Sequence, residues 1–277
     1  MNVGQFLSQS KSSGIQVRIL AKLTAHRLGL SEAAVWAEPN RVLPETVARR
    51  LSSDLDAMVS GKPDAYVFGY MPFLDDHFTI DERVLIPRPE TEHLCARVID
   101  EARREKPPAH ILDLCCGCGI MGLSLAKAFP HARVWLTDLS PGAVAVTREN
   151  AAALGLLDRV QILEGDLWSP LPKDAVFDLI VANPPYVAED DLIQDSVLDY
   201  EPHIALFSPD QGMAHAKQIL RELPRRLVPG GRAAMELGHY HQEMLGPWLD
   251  VRFAEECIYW WDDPYGVPRF LVYDAPV

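Results

Sequence analysis

The sequence predicts an α/β fold, in which a small N-terminal helical domain precedes a mostly parallel sheet of seven strands. Two observations carry this prediction. Apolar residues recur at helical spacing over residues 1–60, whereas short apolar runs alternate with helical segments from residue 110 onward. Such alternation is typical of a parallel sheet covered on both faces. We therefore expect a helical docking domain at 1–64, a hairpin-like linker at 65–90 and an α/β catalytic domain at 91–277.

Composition and charge restrict the class of protein. Of the 277 residues, 48% are hydrophobic and 23% are charged, as in ordinary globular domains. The N-terminal residues do not form a secretory signal, and no apolar run is long enough to cross a membrane, so we expect a cytoplasmic protein without membrane partners. The formal net charge of −13 argues against nonspecific binding to nucleic acid. These features leave the oligomeric state open.

Three helices are expected in the N-terminal domain. Ser12 or Ser13 is the expected cap of the first, which ends near Gly29, and Pro44 is favourable as the first residue of the third. Residues 1–30 contain no Asp or Glu but several basic side chains. This basic run is either a docking face for RNA or an acidic partner, or the ordinary solvated side of a helix.

The remaining elements follow from runs of apolar residues and from their punctuation by Gly and Pro. The linker leads into a helix from about Thr91 to Arg104. Parallel strands are expected at 110–114, 133–137, 160–163, 177–182 and 232–237, and a terminal antiparallel pair at 251–259 and 268–273. The helices between them are expected at 122–129, 141–154 and about 213–227.

The turn after the first of these strands is a candidate cofactor site. It reads Asp113-Leu114-Cys115-Cys116-Gly117-Cys118-Gly119. Ligands bind outside the carboxyl ends of the strands in such sheets, and the two glycines allow the backbone to approach a ligand closely. With Gly122 they also match the Gly-x-Gly-x-x-Gly spacing of dinucleotide sites. The turn by itself is therefore compatible with both NAD and S-adenosylmethionine.

Two acidic residues end the next two strands. Asp138 lies roughly twenty residues after the glycine turn, where a carboxylate can accept hydrogen bonds from both ribose hydroxyls; capping of the following helix is the alternative. Asp166 closes the third strand, where an adenine contact is expected. The cysteines of the turn are expected to be reduced, and no metal is expected, because zinc would require a second spaced pair of ligands.

The fourth strand runs directly into Asn183-Pro184-Pro185-Tyr186. Two successive prolines stiffen the backbone and remove two N–H donors. The side-chain oxygen of Asn183 and a neighbouring main-chain carbonyl then form a pair of acceptors for one NH₂ group, while Tyr186 provides a flat wall for a planar amide or base. This arrangement favours methylation of an amino or amide group. All four residues are expected to bind the substrate, with Asn183, Pro184 and Tyr186 in catalytic roles.

Over nearly its whole length the chain resembles the protein glutamine methyltransferases, which modify release factors or a ribosomal protein on a side-chain amide. The tetrapeptide, the linker motif at 85–92 and Glu236-Leu237-Gly238 carry this resemblance. The resemblance implies a Rossmann-like class I methyltransferase fold and S-adenosylmethionine as the cofactor. The implied cofactor-binding residues are Asp113, Cys115, Cys116, Gly117, Cys118, Gly119, Asp138, Leu139, Asp166, Leu167 and Asn183. The family usually has Gly where this chain has Cys115.

The resemblance implies a protein substrate, which is expected to be a peptide chain release factor or else a ribosomal protein. The N-terminal domain would dock that partner. Adenine-N6 methylation of nucleic acid uses the same tetrapeptide, but the acidic charge of the chain counts against it. A small-molecule N-methyltransferase is a further alternative. A module that binds the cofactor without catalysis is disfavoured by the intact tetrapeptide.

Overall fold

The computed structural model describes residues 1–277, which form two compact units. The first comprises Met1–Tyr70 and Asp195–Tyr200, and the second comprises Met71–Gln194 and Glu201–Val277. The α-helices are α1 (Val3–Ser8), α2 (Ser10–Ser13), α3 (Val17–Leu28), α4 (Glu32–Ala37), α5 (Glu45–Val59), α6 (Asp64–Phe68), α7 (Pro89–Arg104), α8 (Ile120–Ala128), α9 (Pro141–Ala153), α10 (Asp195–Tyr200), α11 (Ala214–Arg226) and α12 (His241–Asp250). The strands are β1 (Tyr70–Phe73), β2 (Asp76–Thr79), β3 (His110–Leu114), β4 (Arg133–Asp138), β5 (Val160–Glu164), β6 (Phe177–Ala182), β7 (Leu227–Glu236), β8 (Ile258–Asp262) and β9 (Pro268–Asp274). None of the helices combines the length and apolar character that a membrane crossing requires.

The first unit is helical, as predicted, and has its own apolar core around Phe6, Leu20 and Leu51. The expected cap of its main helix is wrong. Ser12 and Ser13 belong to α2, which ends at Gly14 in the left-handed conformation, so α3 begins only at Val17 and has no side-chain cap.

One of the basic side chains in the first thirty residues has a structural partner. The guanidinium of Arg27 lies 2.7 Å from the buried carboxylate of Asp54 and donates a hydrogen bond to the Val67 carbonyl at 2.5 Å. Arg27 therefore joins α3 to α5 and to the end of α6, and it does not extend a free basic face.

The second unit is built on a seven-stranded sheet in the order β5-β4-β3-β6-β7-β9-β8. The first five of these are parallel, and β9 runs antiparallel to both of its neighbours. The predicted α/β class with a mostly parallel sheet is confirmed. The strand order reverses between β3 and β6, and in sheets of this kind ligands bind at the carboxyl ends of the strands beside that reversal.

Two predictions for the C-terminal part of the chain are wrong. The strand expected at 251–259 begins only at Ile258, because a turn with an exposed Val251 and a short 3₁₀ segment at Glu255–Cys257 precede it. Helix α12 was not expected, since Gly246 and Pro247 disfavour a helix by local propensity. The burial of Leu245 and Leu249 against the core stabilises α12 in spite of them.

The predicted hairpin-like linker contains a real hairpin, formed by β1 and β2. The chain turns at residues 82–84, and residues 85–88 have no regular secondary structure. The side chain of Asn150 on α9 pairs with both backbone groups of Thr79, at 2.7 and 3.0 Å, and also donates to the Cys118 carbonyl at 2.9 Å. Asn150 therefore holds β2 and the glycine turn in fixed relative positions.

Candidate active site

A cleft lies at the carboxyl ends of β3, β4 and β6, within the second unit. Most of the predicted site residues line it, namely Cys115, Cys116, Gly117, Cys118, Asp138, Leu139, Asp166, Leu167, Asn183 and Pro185. Asp113, Gly119, Pro184 and Tyr186 are not among the lining residues. Asp113 and Gly119 shape the glycine turn, and Tyr186 is half-buried with its ring against His241, as described below.

The glycine turn takes its shape from three residues in the left-handed conformation. Gly117 has φ +57° and Gly119 has φ +79°, while Cys115 adopts φ +56° although it carries a side chain. At Gly119 an added Cβ would lie 2.7 Å from the Thr147 methyl, so close packing as well as backbone conformation requires glycine there. Cys115 stands in a conformation that costs a non-glycine residue roughly 1–2 kcal/mol, which is consistent with the family's preference for glycine.

Asp113 is fully buried beneath this turn. Its Oδ2 atom accepts a hydrogen bond from the Gly122 N–H at 2.8 Å, and an added Cβ at Gly122 would lie 2.9 Å from the same oxygen. Burial raises the pKa of Asp113 to about 8, against the effect of the Gly122 hydrogen bond. In this position Asp113 fixes the start of α8, so its contribution to the cleft is to shape the turn.

Asp138 lines the cleft, and each of its carboxylate oxygens accepts one hydrogen bond from the backbone. Oδ2 accepts from the Gly117 N–H at 2.8 Å, and Oδ1 accepts from the Ser140 N–H at 2.9 Å. The cap of α9 is Ser140 itself, whose hydroxyl accepts from the Ala143 N–H. Because a carboxylate has about four acceptor positions, Asp138 retains acceptor capacity directed to a ligand. Burial raises its pKa, while these backbone hydrogen bonds oppose the rise.

These features fit the S-adenosylmethionine that the resemblance implies. Asp138 can accept from two ribose hydroxyls, and the turn lets the backbone approach the ligand without a side chain in between. The thiols around the turn stay neutral, because burial raises the pKa of Cys115 and Cys116 well above the ordinary value and that of Cys118 to about 12. They therefore act as a small, nearly apolar wall. The chain contains no group of three His, Cys, Asp or Glu side chains placed to hold a metal ion.

Asn183 directly follows β6, next to the point where the strand order reverses. Its Nδ2 atom donates to the Thr91 hydroxyl at 3.2 Å, and that hydroxyl donates to Oε2 of Glu236 at 2.7 Å. Burial raises the pKa of Glu236 to about 7, and its hydrogen bond from Thr91 opposes the rise. The side-chain oxygen of Asn183 is left available to a ligand in the cleft.

Tyr186 is enclosed by segments that are distant in sequence. Its ring packs edge-on against the buried imidazole of His241, with centroids 6.0 Å apart. An added Cβ at Gly212 would lie 2.2 Å from the Tyr186 carbonyl oxygen. After Tyr186, the backbone of Val187 bonds to Leu206 and Ser208, each at 2.9 Å. The tetrapeptide is thereby attached to the loop that precedes α11.

A buried carboxylate fixes the opposite wall of the cleft. Oε1 of Glu201 lies 2.6 Å from the Arg88 guanidinium, and Oε2 accepts from the Ile86 N–H at 2.9 Å. Pro87 and Pro202, which are next to these groups in sequence, both line the cleft.

Sequence reasoning did not assign site roles to Thr91, Glu201, Glu236, Gly212 or His241. One signal was available for Glu236, which is the last residue of a parallel strand and so lies at the ligand-binding edge of the sheet. The others act through contacts between distant segments, for which a single sequence gives no spacing rule.

Comparisons with known proteins agree with this geometry. Residues 93–199 match the family model "Methyltransferase small domain". The release factor glutamine methyltransferase of Koribacter versatilis is 34% identical over 255 residues, which cover 90% of this chain and 88% of that relative. The Bordetella pertussis protein of the same name is 37% identical and covers 81% of each chain.

Solved structures share the fold at low sequence identity. A 16S rRNA methyltransferase of Thermus thermophilus, in complex with AdoMet and guanosine, has a TM-score of 0.53 at 20% identity, covering 74% of this chain and 49% of its own. The catalytic domain of hMettl16, in complex with an RNA hairpin, has a TM-score of 0.55 at 14% identity, covering 83% and 80%. These two structures support the class I methyltransferase fold. The extent and identity of the curated matches show that the chain belongs to the release factor glutamine methyltransferase family.

Proposed function

We propose that this S-adenosylmethionine-dependent methyltransferase transfers a methyl group to the side-chain amide nitrogen of a glutamine in a peptide chain release factor. One observation carries the proposal: Asn183 lies at the reversal point of the sheet and lines the same cleft as Asp138. A planar amide bound at Asn183 would therefore be close to the cofactor. The names of the relatives support a release factor as the substrate and, with it, a cytoplasmic place of action.

The bound cofactor supplies an electrophilic methyl group. A glutamine amide nitrogen is a poor nucleophile, because its lone pair is delocalised into the carbonyl group. The Asn183 side-chain oxygen and the Pro184 carbonyl would each accept one of the two N–H groups, and together they would hold the nitrogen with its lone pair toward the cofactor. Acceptors fixed in advance favour transfer by positioning and by electrostatic stabilisation.

No strong base is needed before the transfer in this scheme. With the cofactor bound, the new N–C bond would form as the bond between the methyl carbon and the sulfonium sulfur breaks. The nitrogen then loses one of its two protons to solvent. Tyr186 would form a flat wall beside the amide, and burial keeps its hydroxyl protonated by raising its pKa.

The decisive experiment supplies the enzyme with methyl-labelled cofactor and one of three acceptors: a release factor, a ribosomal protein or nucleic acid. We expect label on a single glutamine of the release factor, located by mass spectrometry, and no label when that glutamine is replaced by Glu. Label on the ribosomal protein alone would change the substrate, and label on nucleic acid alone would overturn the proposal.

The role of Asn183 is tested in the same assay. Asn183→Ala should leave the dissociation constant of the cofactor within about threefold, because the cofactor is held mainly by other groups, and should lower kcat at least about a hundredfold. Unchanged turnover would remove Asn183 from the catalytic site.

A further inference from the structure

A chain of three hydrogen-bonded side chains connects the end of β6 to the end of β7 through the first turn of α7. Asn183 donates to Thr91, and Thr91 donates to Glu236. We propose that Thr91 and Glu236 are positioning residues, which fix the Asn183 amide with its oxygen toward the substrate nitrogen. The inference rests on the proposed function, since it gives the reason why Asn183 presents an acceptor.

The direction of the chain follows from its chemical groups. Above its pKa of about 7 the Glu236 carboxylate is ionised and can only accept, so the single hydroxyl proton of Thr91 is then directed to it, at 2.7 Å. The Thr91 oxygen then offers only lone pairs to Asn183. The NH₂ end of the Asn183 amide must therefore face Thr91, at 3.2 Å, and its oxygen must face the other way. Glu236 in this manner determines which end of the Asn183 amide is available in the cleft.

Burial makes this orientation difficult to reverse. Thr91 is 3% exposed and Glu236 is 1% exposed, so solvent does not offer the hydroxyl another acceptor. A reversed Asn183 would place its oxygen against the lone pairs of Thr91 and lose the hydrogen bond between them. It would also present NH₂ to the substrate NH₂, two donors facing each other. A reversed amide could not position the substrate nitrogen.

The same carboxylate also serves the other end of the tetrapeptide. The Glu236 carboxylate is close enough to Tyr186 for its charge to contribute, after burial, to the raised pKa of the Tyr186 hydroxyl. One buried carboxylate therefore interacts with two of the four tetrapeptide side chains, electrostatically with Tyr186 and through Thr91 with Asn183.

The test compares two substitutions of Thr91. Thr91→Val keeps the shape of the side chain but removes the hydroxyl, whereas Thr91→Ser keeps the hydroxyl and removes the methyl. Because a misplaced catalytic group can cost up to about a hundredfold in rate, we expect Thr91→Val to lower kcat by about ten- to a hundredfold. The dissociation constant of the cofactor should change by less than about threefold. Thr91→Ser should restore most of the lost rate. Equal rates in the two variants would overturn the inference.

Coupling to Glu236 is tested with Glu236→Met, which removes the acceptor while keeping a side chain of similar length. Thr91→Val should cost little further rate in the Glu236→Met background, because the chain is already broken there. If the two effects on kcat multiply, the residues act independently and the inference fails. Thermal unfolding of every variant, measured beside the rates, separates loss of folded protein from loss of positioning.

A readout without turnover separates this inference from the proposed function. The side-chain NH₂ resonances of Asn183, identified by their absence in Asn183→Ala, report the hydrogen bond to Thr91 directly. We expect them to shift in Thr91→Val and to stay near their wild-type positions in Thr91→Ser. If the resonances behave in this way but the enzyme does not methylate a release factor, the proposed substrate is refuted and the positioning role of Thr91 stands. Identical resonances in wild type and Thr91→Val would refute the positioning role whatever the substrate is.

Discussion

Replacement of Gly212 by Ala tests whether the loop before α11 holds the tetrapeptide in place. Gly212 has φ +81°, and a Cβ there would lie 2.2 Å from the Tyr186 carbonyl oxygen and 2.9 Å from Nε2 of His241. The first contact is with backbone, which cannot rotate away as a side chain can. The backbone of Tyr186 would have to move by about 1 Å before such a contact becomes tolerable.

The matched control is Gly266→Ala in the turn between β8 and β9. Gly266 has φ +78°, nearly the same backbone conformation, but a Cβ there would meet nothing within 4 Å. Both substitutions cost about 1–2 kcal/mol of backbone strain. Only Gly212→Ala adds overpacking, which costs about 1–3 kcal/mol. The difference between the two variants therefore isolates the contact with Tyr186.

Thermal unfolding and steady-state transfer to a release factor measure the two consequences. At roughly 2–4 °C per kcal/mol, Gly266→Ala should lower Tm by about 2–8 °C and Gly212→Ala by several degrees more. Gly266→Ala should keep the wild-type kcat, whereas a shift of about 1 Å at Tyr186 should lower the kcat of Gly212→Ala by up to a hundredfold. The reasoning is refuted if the two variants lose the same stability and transfer methyl groups equally fast.

Three further predictions concern carboxylates in or beside the cleft. Asp138→Ala should weaken cofactor binding by about tenfold to a hundredfold, measured by isothermal titration calorimetry, because hydrogen bonds to a charged acceptor contribute about 1.5–3 kcal/mol; an unchanged dissociation constant would exclude Asp138 from the ribose site. Since burial raises the pKa of Glu236 from 4.5 to about 7, the folded state holds a proton that the unfolded state has released, and stability falls as pH rises between these values. Between pH 5.5 and 8, the free energy of unfolding measured in urea should therefore fall by about 2 kcal/mol more for the wild type than for Glu236→Gln. The raised pKa of Asp113 affects both proteins equally. Equal decreases in the two proteins would contradict the raised pKa of Glu236. Glu201→Gln should lower the free energy of unfolding by about 1–2 kcal/mol, because it leaves Arg88 without its charged partner; no change in Tm would show that this ion pair, whose guanidinium is partly exposed, contributes little.

The sequence predicted most of the residues that line the cleft beside the glycine turn, and there is a physical reason for this. The glycine turn, Asp138 and Asp166 each lie at or just after the end of a parallel strand, and the carboxyl ends of parallel strands meet at one edge of the sheet. Recognising the strands was therefore sufficient to bring these residues together. Where strands and helices were misplaced, at 251–259 and in α12, tertiary packing prevailed over local propensity. The division into docking, linker and catalytic regions stays a prediction, although the chain does form a helical unit and an α/β unit.

The substrate half was only partly predictable, because its support comes from remote parts of the chain. Asn183 and Tyr186 were found from their own tetrapeptide. Their partners Thr91, Glu236 and Gly212 lie on α7, at the end of β7 and in the loop before α11, and no spacing rule connects these positions. Glu236 illustrates the limit of the prediction. Like Asp138 it is the last residue of a parallel strand, but its carboxylate accepts a hydrogen bond from the Thr91 hydroxyl and does not line the cleft. The position of a residue at the end of a strand places it at the edge of the sheet, but its burial determines whether its side chain is accessible from the cleft.

This difference in support has a functional consequence. Contacts within residues 113–150 hold Asp138 and the glycine turn, so these groups can keep their geometry when α7, β7 or the loop before α11 shifts. Long-range contacts hold the substrate half, so a change in α7, β7 or the loop before α11 reaches Asn183 and Tyr186 without touching Asp138. Substitutions at Thr91, Glu236 and Gly212 should therefore slow methyl transfer at nearly constant cofactor affinity, and substitutions at Asp138 should do the reverse. A single Gly212→Ala enzyme that bound the cofactor weakly and transferred normally would contradict this separation of the two halves.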